Sequence, residues 1–304
     1  MKIGLNGGAA TVDRMIEQAK EAEADGFSSL WYASAIFGDP LVAMAFAGRE
    51  TTTIELGTSV LQTYTSHPVL QVNRAASTAA AMGRPGLTLG VGPSHDMVIE
   101  SMFGISYAHP GAHTEEYVTV LASLLRGEGI SFKGDHITAN VPAVATPPQP
   151  VSVMVSALAP RLLRVAGELT DGTILWMANA RSIETHVAPR ITKAASNAGR
   201  AAPRIVAGLP VAVHDNVEEA RETAGKNFAG YGVLPNYRRI LDIGGAAGPA
   251  EAAIVGDESA VADQIRGLFD AGATDVWAAV FPVGEDKSGS RKRTRALLKE
   301  LANA

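Results

Sequence analysis

The chain of 304 residues contains no cysteine. It therefore cannot form disulfides, use a thiolate nucleophile, or hold zinc–thiolate and iron–sulfur centres. It also has little positive charge, because 26 Lys and Arg stand against 31 Asp and Glu, for a net charge of −5. Since a nucleic-acid backbone is bound through clustered cations, we expect no nucleic-acid partner.

Long apolar runs are missing as well. No run in the sequence approaches the ~18 residues that a membrane-spanning helix needs, so we expect no membrane partner. The first residues enter a predicted strand at once, without the basic and apolar segments of a signal peptide. We therefore predict a cytoplasmic protein. The composition, 46% hydrophobic and 19% charged, is typical of a globular chain with a large core.

Eight apolar stretches alternate with helical patterns and predict eight β-strands. They cover residues 2–6, 28–32, 54–60, 87–91, 151–156, 172–177, 204–213 and 275–281. Eight strand–helix units in a chain of this length are typical of an α/β protein with a (β/α)8 barrel. An open doubly wound sheet is the alternative, but Gly90-Val-Gly92 supplies only two glycines of a dinucleotide fingerprint.

We predict one domain over residues 1–304, with two departures from regular alternation. An insertion at about 103–150 follows strand four, and an irregular segment at about 230–250 follows strand seven. A final helix is predicted over residues 291–301. The basic run from Lys287 to Arg295 near its start is either a solvated helix face or a surface for the acidic tail of a ligand.

Polar side chains follow strands three and four. Ser59, Thr63 and His67 come after the third strand, and Ser94 and His95 after the fourth. Parallel strands deliver such groups to one edge, which predicts the active edge of the protein. For His67 the alternative is a packing role at the start of the helix that Pro68 opens.

Several motifs resemble the luciferase-like flavin and deazaflavin oxidoreductases, above all the branch that uses coenzyme F-420, an 8-hydroxy-5-deazaflavin. They are Leu56-Gly-Thr-Ser-Val60 with Ser66-His67-Pro68, Leu87-Thr-Leu-Gly-Val-Gly-Pro-Ser-His95 with Met102-Phe-Gly104, Glu116-Tyr117, the segment 157–172, Asn197-Ala-Gly-Arg200 and Gly256-Asp-Glu258. The resemblance covers essentially the whole chain. It implies a TIM barrel, often dimeric, that binds its cofactor at the carboxyl ends of the strands.

The resemblance also implies a set of cofactor-binding residues. A non-prolyl cis peptide in a bulge of strand three, here Ser59–Val60, would back the central ring. The tail phosphate would lie at the loop Ser156-Ala157-Leu158, before the helix opened by Pro160, with Arg161 as an added contact. Thr63 belongs to the same predicted set, and Ser94 and His95 match positions near the cofactor. The alternative for this last pair is that they are turn residues at the start of a helix over 96–103.

The resemblance fails at one place. Sugar-phosphate dehydrogenases of this family end strand two with an Asp-His pair, whereas this chain reads Tyr32-Ala-Ser34-Ala-Ile36. We therefore do not expect that activity. The catalytic residues stay unassigned, with Ser34, His95, Tyr107 and Tyr237 as candidates and His109 or water as other proton sources.

Trp31 and Trp176, near the ends of strands two and six, are either core residues or the wall of a pocket. The predicted function is hydride transfer between coenzyme F-420 and a small organic substrate. One alternative is an FMN-dependent monooxygenase, and another is a barrel that binds the cofactor without turnover. A metal hydrolase is disfavoured because the histidines are scattered, so no metal site is predicted.

Overall fold

The computed structural model describes residues 1–34, 38–143 and 145–304. Within these ranges the strands are β1 (Ile3–Gly7), β2 (Ser29–Tyr32), β3 (Glu55–Thr58), β4 (Leu61–Gln62), β5 (Leu87–Gly92), β6 (Ile130–Lys133), β7 (Thr138–Val141), β8 (Val151–Val155), β9 (Gly172–Trp176), β10 (Arg204–Val213), β11 (Ile254–Gly256) and β12 (Asp275–Val280).

The helices in the same ranges are α1 (Val12–Ala24), α2 (Pro40–Glu50), α3 (Pro68–Met82), α4 (Pro110–Leu125), α5 (Pro160–Leu169), α6 (Ala180–Ser182), α7 (Ala188–Asn197), α8 (Val217–Asn227), α9 (Pro235–Ile243), α10 (Pro249–Ala252), α11 (Glu258–Asp270) and α12 (Lys287–Asn303). Met97–Met102 and Ile183–Val187 form π-helical turns, and Ala229–Gly232 forms a 3-10 turn. None of these helices is long and apolar enough to cross a membrane.

Eight parallel strands, β1, β2, β3, β5, β8, β9, β10 and β12, form a closed barrel. The pairing of β9 with β10 closes the ring, with Arg204 opposite Gly172 and Gly208 opposite Trp176. The predicted (β/α)8 barrel is therefore confirmed. We call the end where the strands finish the upper end and the end where they begin the lower end.

The interior of the barrel and the space between sheet and helices are both filled with apolar side chains. Inside the barrel, Trp31, Met154, Ile174, Val206 and Trp277 form one buried cluster. Leu, Ile, Val and Ala from the outer face of the strands pack against the surrounding helices in a second, larger cluster. This packing fixes where each strand ends, and so where its following loop begins.

Helix starts depend on local capping. The Asp39 side chain accepts a hydrogen bond from the Leu41 N–H at the start of α2. The His67 ring accepts one from the Val69 N–H at the start of α3, at 3.3 Å, as the packing alternative for this residue predicts. Asp286 caps α12 through the Gly289 N–H, so this helix starts at Lys287, and the predicted start at residue 291 is wrong.

Both departures from regular alternation contain ordered elements. In residues 103–150, α4 packs against α3 and α5, and β6 pairs with β7 in an antiparallel hairpin. Residues 230–250 contain α9 and α10, more helix than the sequence pattern predicts. The basic run at the start of α12 is tied down by ion pairs, since Arg293 contacts Asp215 and Glu258.

Candidate active site

Two adjoining cavities open at the upper end of the barrel. The first, which we call the central cavity, measures about 240 Å³ and is lined by Asn6, Ala33, Ser59, Val60, Ser156, Ile174, Leu175, Trp176, Phe228, Tyr231, Tyr237, Trp277 and Ala279. The second, the side cavity, measures about 90 Å³ and is lined by Val60, Gly92, Pro93, Ser94, His95, Ser156, Leu158, Ala159, Leu162, Asn236 and Tyr237. Val60, Ser156 and Tyr237 line both and mark the junction.

A bulge between β3 and β4 forms one wall of both cavities. Gly57 pairs with Thr88 and Leu61 with Val91. The three residues 58–60 therefore lie opposite only two residues of β5, 89 and 90. The Thr58 hydroxyl fills the gap, because it accepts from the Gly90 N–H at 2.9 Å and donates to the Gly90 carbonyl at 2.8 Å. The continuous strand that the apolar pattern predicts over residues 54–60 therefore ends at Thr58, and the bulge that the family resemblance implies is confirmed.

The peptide bond between Ser59 and Val60 is cis, as the family resemblance implies. Both residues line the central cavity. A Cβ at Gly90 would lie 2.0 Å from the Thr58 carbonyl oxygen, so only glycine lets β5 approach the bulge so closely.

Ser94 and His95 follow β5 and line the side cavity. Ser94 has a left-handed backbone with φ of 66°, which is uncommon outside glycine. The Tyr107 hydroxyl donates a hydrogen bond to the Ser94 carbonyl at 2.7 Å. Tyr107 therefore holds the turn in place. Because the Tyr107 hydroxyl already donates to the Ser94 carbonyl, its role in this structure is to position the turn.

The loop after β8 forms the floor of the side cavity. The Ser156 N–H donates to the Val91 carbonyl at 2.9 Å, which fixes this loop to β5. His186 Nε2 lies 2.8 Å from the Leu158 carbonyl oxygen and supports the loop from below. Ala157 is fully buried, and its N–H donates to Thr173 Oγ1 at 3.3 Å. The loop then enters α5 at Pro160, where no side chain caps the helix.

Arg161, the predicted extra phosphate contact, is engaged elsewhere. Its Nε lies 2.7 Å from Glu115 Oε2, and Arg164 binds the other oxygen of the same carboxylate at 2.6 Å. The pKa of Glu115 is held below its usual range by its hydrogen bonds to these two guanidinium groups, which outweigh its partial burial. The structure thus places Arg161 in an ion-pair network beside the site.

Aromatic rings form the far wall of the central cavity. Trp176 and Trp277 stack with centroids 5.1 Å apart and planes 19° apart. Tyr231 packs edge-on against Trp176 at 5.6 Å, and Tyr237 packs edge-on against Tyr231 at 5.0 Å. Two of these rings come from the segment between α8 and the first turns of α9. Gly208 provides the space, since a Cβ there would lie 2.1 Å from Trp277.

The two tryptophans singled out in the sequence occupy different places. Trp176 lines the central cavity, as one alternative predicts. Trp31 lies inside the barrel, is 0% exposed, and donates its indole N–H to Ser29 Oγ at 2.8 Å. Its ring packs over Gly57, where a Cβ would lie 2.3 Å away. Trp31 is therefore a core residue. Trp277, and not Trp31, lines the central cavity together with Trp176.

Burial sets the protonation of His95 in the side cavity and of Tyr237 at the junction. Desolvation lowers the pKa of His95 below its ordinary value, despite the nearby Asp96 carboxylate, so this ring is neutral at pH 7. Desolvation raises the pKa of Tyr237, so this phenol keeps its proton. The two rings lie 5.5 Å apart. The site therefore offers a neutral imidazole and a protonated phenol.

Ser34 and Thr63 are not among the lining residues of these two cavities, although Ser34 lines a neighbouring cavity that shares Asn6 and Ala33 with the central cavity. Ser34 Oγ donates to Gln62 Oε1 at 3.1 Å, and neither residue lines the central or side cavity. Ala35 and Ile36, which follow Ser34, lie outside the described residues. Thr63 is buried, with its hydroxyl 3.4 Å from His113 Nδ1. Its contact is thus with α4 and not with either cavity.

Sequence reasoning missed two polar lining residues and the role of Thr58. Asn6 and Asn236 line the central and side cavities, respectively. Asn6 was open to detection, because it is a polar residue near the carboxyl end of an apolar strand. Asn236 lies in an irregular stretch whose path no local pattern fixes. The described residues contain no group of three or more His, Asp or Glu side chains that could hold a metal ion.

The shape and chemistry of the two cavities fit a flavin-like cofactor. The central cavity offers flat aromatic and apolar walls to a ring system. The side cavity offers two hydroxyls and the first N–H groups of α5 to an anionic tail. Gly92 leaves room where the two cavities meet, because an added Cβ there would lie 3.0 Å from both Val60 and Ser156.

Comparison with known proteins gives a consistent picture. The family model described as luciferase-like monooxygenase matches residues 2–285. A 5,10-methylenetetrahydromethanopterin reductase from Methanolobus tindarius is 28% identical over 188 residues, 62% of this chain and 57% of the relative. The chain thus matches little more than half the length of that relative.

Solved structures share the fold over the whole chain. The coenzyme F-420-dependent tetrahydromethanopterin reductase from Methanopyrus kandleri superimposes with a TM-score of 0.78 and 19% identity, covering 99% of this chain and 97% of that one. The oxygenating component of 3,6-diketocamphane monooxygenase from Pseudomonas putida, in complex with FMN, gives a TM-score of 0.71 and 18% identity, with coverage of 99% and 97%.

Proposed function

This chain belongs to the luciferase-like monooxygenase family and is an oxidoreductase, and from that premise we propose that it uses coenzyme F-420. In this proposal it moves a hydride between C5 of the deazaflavin and a small organic substrate. When bound, the deazaflavin supplies or accepts that hydride. The reductases of Methanolobus tindarius and Methanopyrus kandleri, which resemble this chain, support this choice.

The observation that carries the proposal is the pair of joined cavities at the upper end. The central cavity would take the ring of the cofactor, with the wall at Ser59 and Val60 on one side and Trp176 on the other. The side cavity would take the tail, with Ser94, His95, Ser156 and Leu158 around it. These residues then bind and orient the cofactor, and the aromatic rings exclude water from its reactive edge.

Proton transfer to substrate falls to Tyr237 in this proposal. Its phenol is protonated, and it lines both cavities. Among the other candidates, Tyr107 is engaged with the Ser94 carbonyl, and Ser34 is bonded to Gln62. His95 is neutral and contacts the Tyr237 ring. His95 is therefore suited to positioning Tyr237 and not to donating a proton itself.

The alternative is an FMN-dependent monooxygenase with a separate reductase. One observation favours it, namely that the Pseudomonas putida structure with the same fold holds FMN.

We also infer a homodimer, because α2 and α3 expose large apolar side chains: Val42 is 50%, Phe46 55% and Leu70 58% exposed. The cytoplasmic location stays a prediction from the sequence.

Titration of the purified protein with coenzyme F-420 and with FMN, followed by tryptophan fluorescence, tests the cofactor. Because Trp176 and Trp277 line the central cavity, we expect strong quenching by the deazaflavin. The matched control is Trp176→Phe, which should lose the share of the quenching that comes from Trp176 and keep most of the affinity. Tight binding of FMN together with no binding of coenzyme F-420 would overturn the proposal.

A further inference from the structure

The side cavity is lined by neutral groups. Its polar side chains are the hydroxyls of Ser94 and Ser156, the Asn236 amide, the Tyr237 phenol and the neutral His95 ring. The other side chains around it are apolar, among them Leu158 and Leu162. An anion in this space would be held by hydrogen bonds and not by a full positive charge.

The nearest guanidinium groups on α5 are already neutralised. Arg161 and Arg164 share the Glu115 carboxylate at 2.7 and 2.6 Å. Arg164 also binds Glu168 Oε2 at 2.6 Å. Two cations and two carboxylates therefore cancel beside the side cavity, and what remains is the partial charge of the helix start, roughly +0.5.

Two further arginines lie outside the lining of the side cavity. Arg190 donates to the His186 carbonyl at 2.9 Å, on the far side of the histidine that supports Leu158. Arg239 is exposed on α9, two residues after Tyr237. Charges in such solvated positions are screened over short distances, so their effect on a group inside the cavity is small.

We propose that the side cavity selects a phosphate with one negative charge, a phosphodiester, over a terminal phosphomonoester with two. The inference rests on the proposed function, which places a phosphorylated cofactor tail in this cavity. A phosphomonoester carries about −1.5 to −2 charges at pH 7. The cost of removing an ion from water rises with the square of its charge, whereas neutral donors and one helix start give a limited return.

This selection bears on the choice between the two cofactors. The tail of coenzyme F-420 is attached through a phosphodiester, whereas FMN ends in a phosphomonoester. The protein would therefore distinguish the two molecules at the phosphate as well as at the ring. Asn236 marks the position where a cation would change this preference, because it lines the side cavity on the first turn of α9.

The experiment uses ligands that differ by one charge. We would measure dissociation constants, by tryptophan fluorescence, for the deazaflavin 5′-phosphate and for its O-methyl ester, which is a phosphodiester. FMN and its O-methyl ester repeat the test on the other ring. We expect each methyl ester to bind about tenfold tighter than its parent. A parent that binds as tightly as its ester overturns the inference.

A variant pair separates charge from shape. Asn236→Lys adds a cation to the lining and should tighten binding of the phosphomonoester about tenfold, with a smaller gain for the methyl ester. Asn236→Gln is the matched neutral control and should leave the ratio of the two dissociation constants unchanged. Equal effects of Asn236→Lys on both ligands would contradict the inference. If FMN binds and no deazaflavin does, the proposed cofactor fails, while the FMN pair still decides the selection by charge.

Discussion

The two ends of the barrel satisfy their polar groups differently. At the lower end, Arg204 binds Glu55 through two hydrogen bonds of 2.9 and 3.0 Å and Asp275 at 2.7 Å. Thr88 and Thr274 complete the network by donating to the same carboxylates. At the upper end, the side chains of Ser94, Ser156 and Asn236 line open cavities instead.

Backbone conformation follows the same division. Ser94, His109 and Met177, the non-glycine residues with positive φ in the described ranges, lie in segments that follow the upper ends of strands. Left-handed backbone costs energy outside glycine, and it is found where a function or a neighbouring structure requires it. The lower end therefore contributes to the stability of the fold, and that stability offsets the cost of the strained backbone at the upper end.

The largest expected effect comes from breaking the lower network. Arg204→Met leaves the Glu55 and Asp275 carboxylates without their cation inside the barrel, and should lower the free energy of unfolding by about 3–5 kcal/mol. Denaturant unfolding measures this loss. Arg126→Met is the control, because its pair with Glu128 is exposed and should hardly change the unfolding midpoint. Equal effects of the two substitutions would remove the distinction between the ends.

Acid should act on the upper end through His113. Burial, together with the nearby His136, lowers the pKa of this ring to about 4, while it stacks on Tyr64 at 3.9 Å. The folded state thus resists protonation, so the stability tied to His113 is present above about pH 6.5 and is lost as the pH falls toward 4, by about 3 kcal/mol in all.

Denaturant unfolding curves between pH 8 and pH 4.5 test whether the free energy of unfolding falls on acidification as predicted. Relative to the wild type, His113→Gln should show a smaller loss of stability on acidification, because glutamine takes up no proton. Nearby ionisable groups are His136 and Glu116, and neither is changed. Parallel pH profiles for the two proteins would mean that His113 does not carry the acid response.

Filling the space under the aromatic wall should produce an intermediate effect. Gly208→Ala places a Cβ 2.1 Å from Trp277, so the stacked pair Trp176 and Trp277 must shift. We expect a loss of about 1–3 kcal/mol in stability and weaker cofactor binding. Gly267→Ala is the control, because apart from the nearby backbone of its own helix no atom lies within 4 Å of the added Cβ. It should leave binding unchanged and raise stability slightly.

An effect no larger than that of Gly208→Ala is expected at the bulge. Thr58→Val removes the hydroxyl that accepts from and donates to Gly90, and should cost about 1–3 kcal/mol. Cofactor affinity should fall with it, since Ser59 and Val60 follow directly. Thr58→Ser keeps the hydroxyl and should restore both properties. If valine and serine behave alike, the hydroxyl does not hold the wall.

The sequence predicted the barrel well because the strands are local features. Apolar runs bounded by glycine, proline and caps placed all eight strands to within two residues. The errors arise where distant contacts decide. The bulge at Thr58 needs Gly90 from β5, and the short strand β11 exists only because Val211 and its neighbours in β10 pair with it.

The site was predictable in its location but less so in its contacts. Parallel strands bring Ser59, Ser94 and Ser156 to one end, which chain order alone indicates. That Arg161 is bound by Glu115, and that Trp31 is inside the barrel, depends on side-chain packing across elements. No spacing in the chain encodes those contacts, so the sequence left alternatives that the structure resolves.

The contact between Arg204 and Glu55 also has a consequence for folding during synthesis. It joins residues 149 positions apart, so Glu55 leaves the ribosome long before its cation is made. Closing so long a segment is entropically costly and slow. A chain that ends before β10 has six of the eight barrel strands and lacks the cation that pairs with Glu55. The ring closes only when β12 follows, because β12 pairs with both β10 and β1 and brings Asp275 to the same guanidinium.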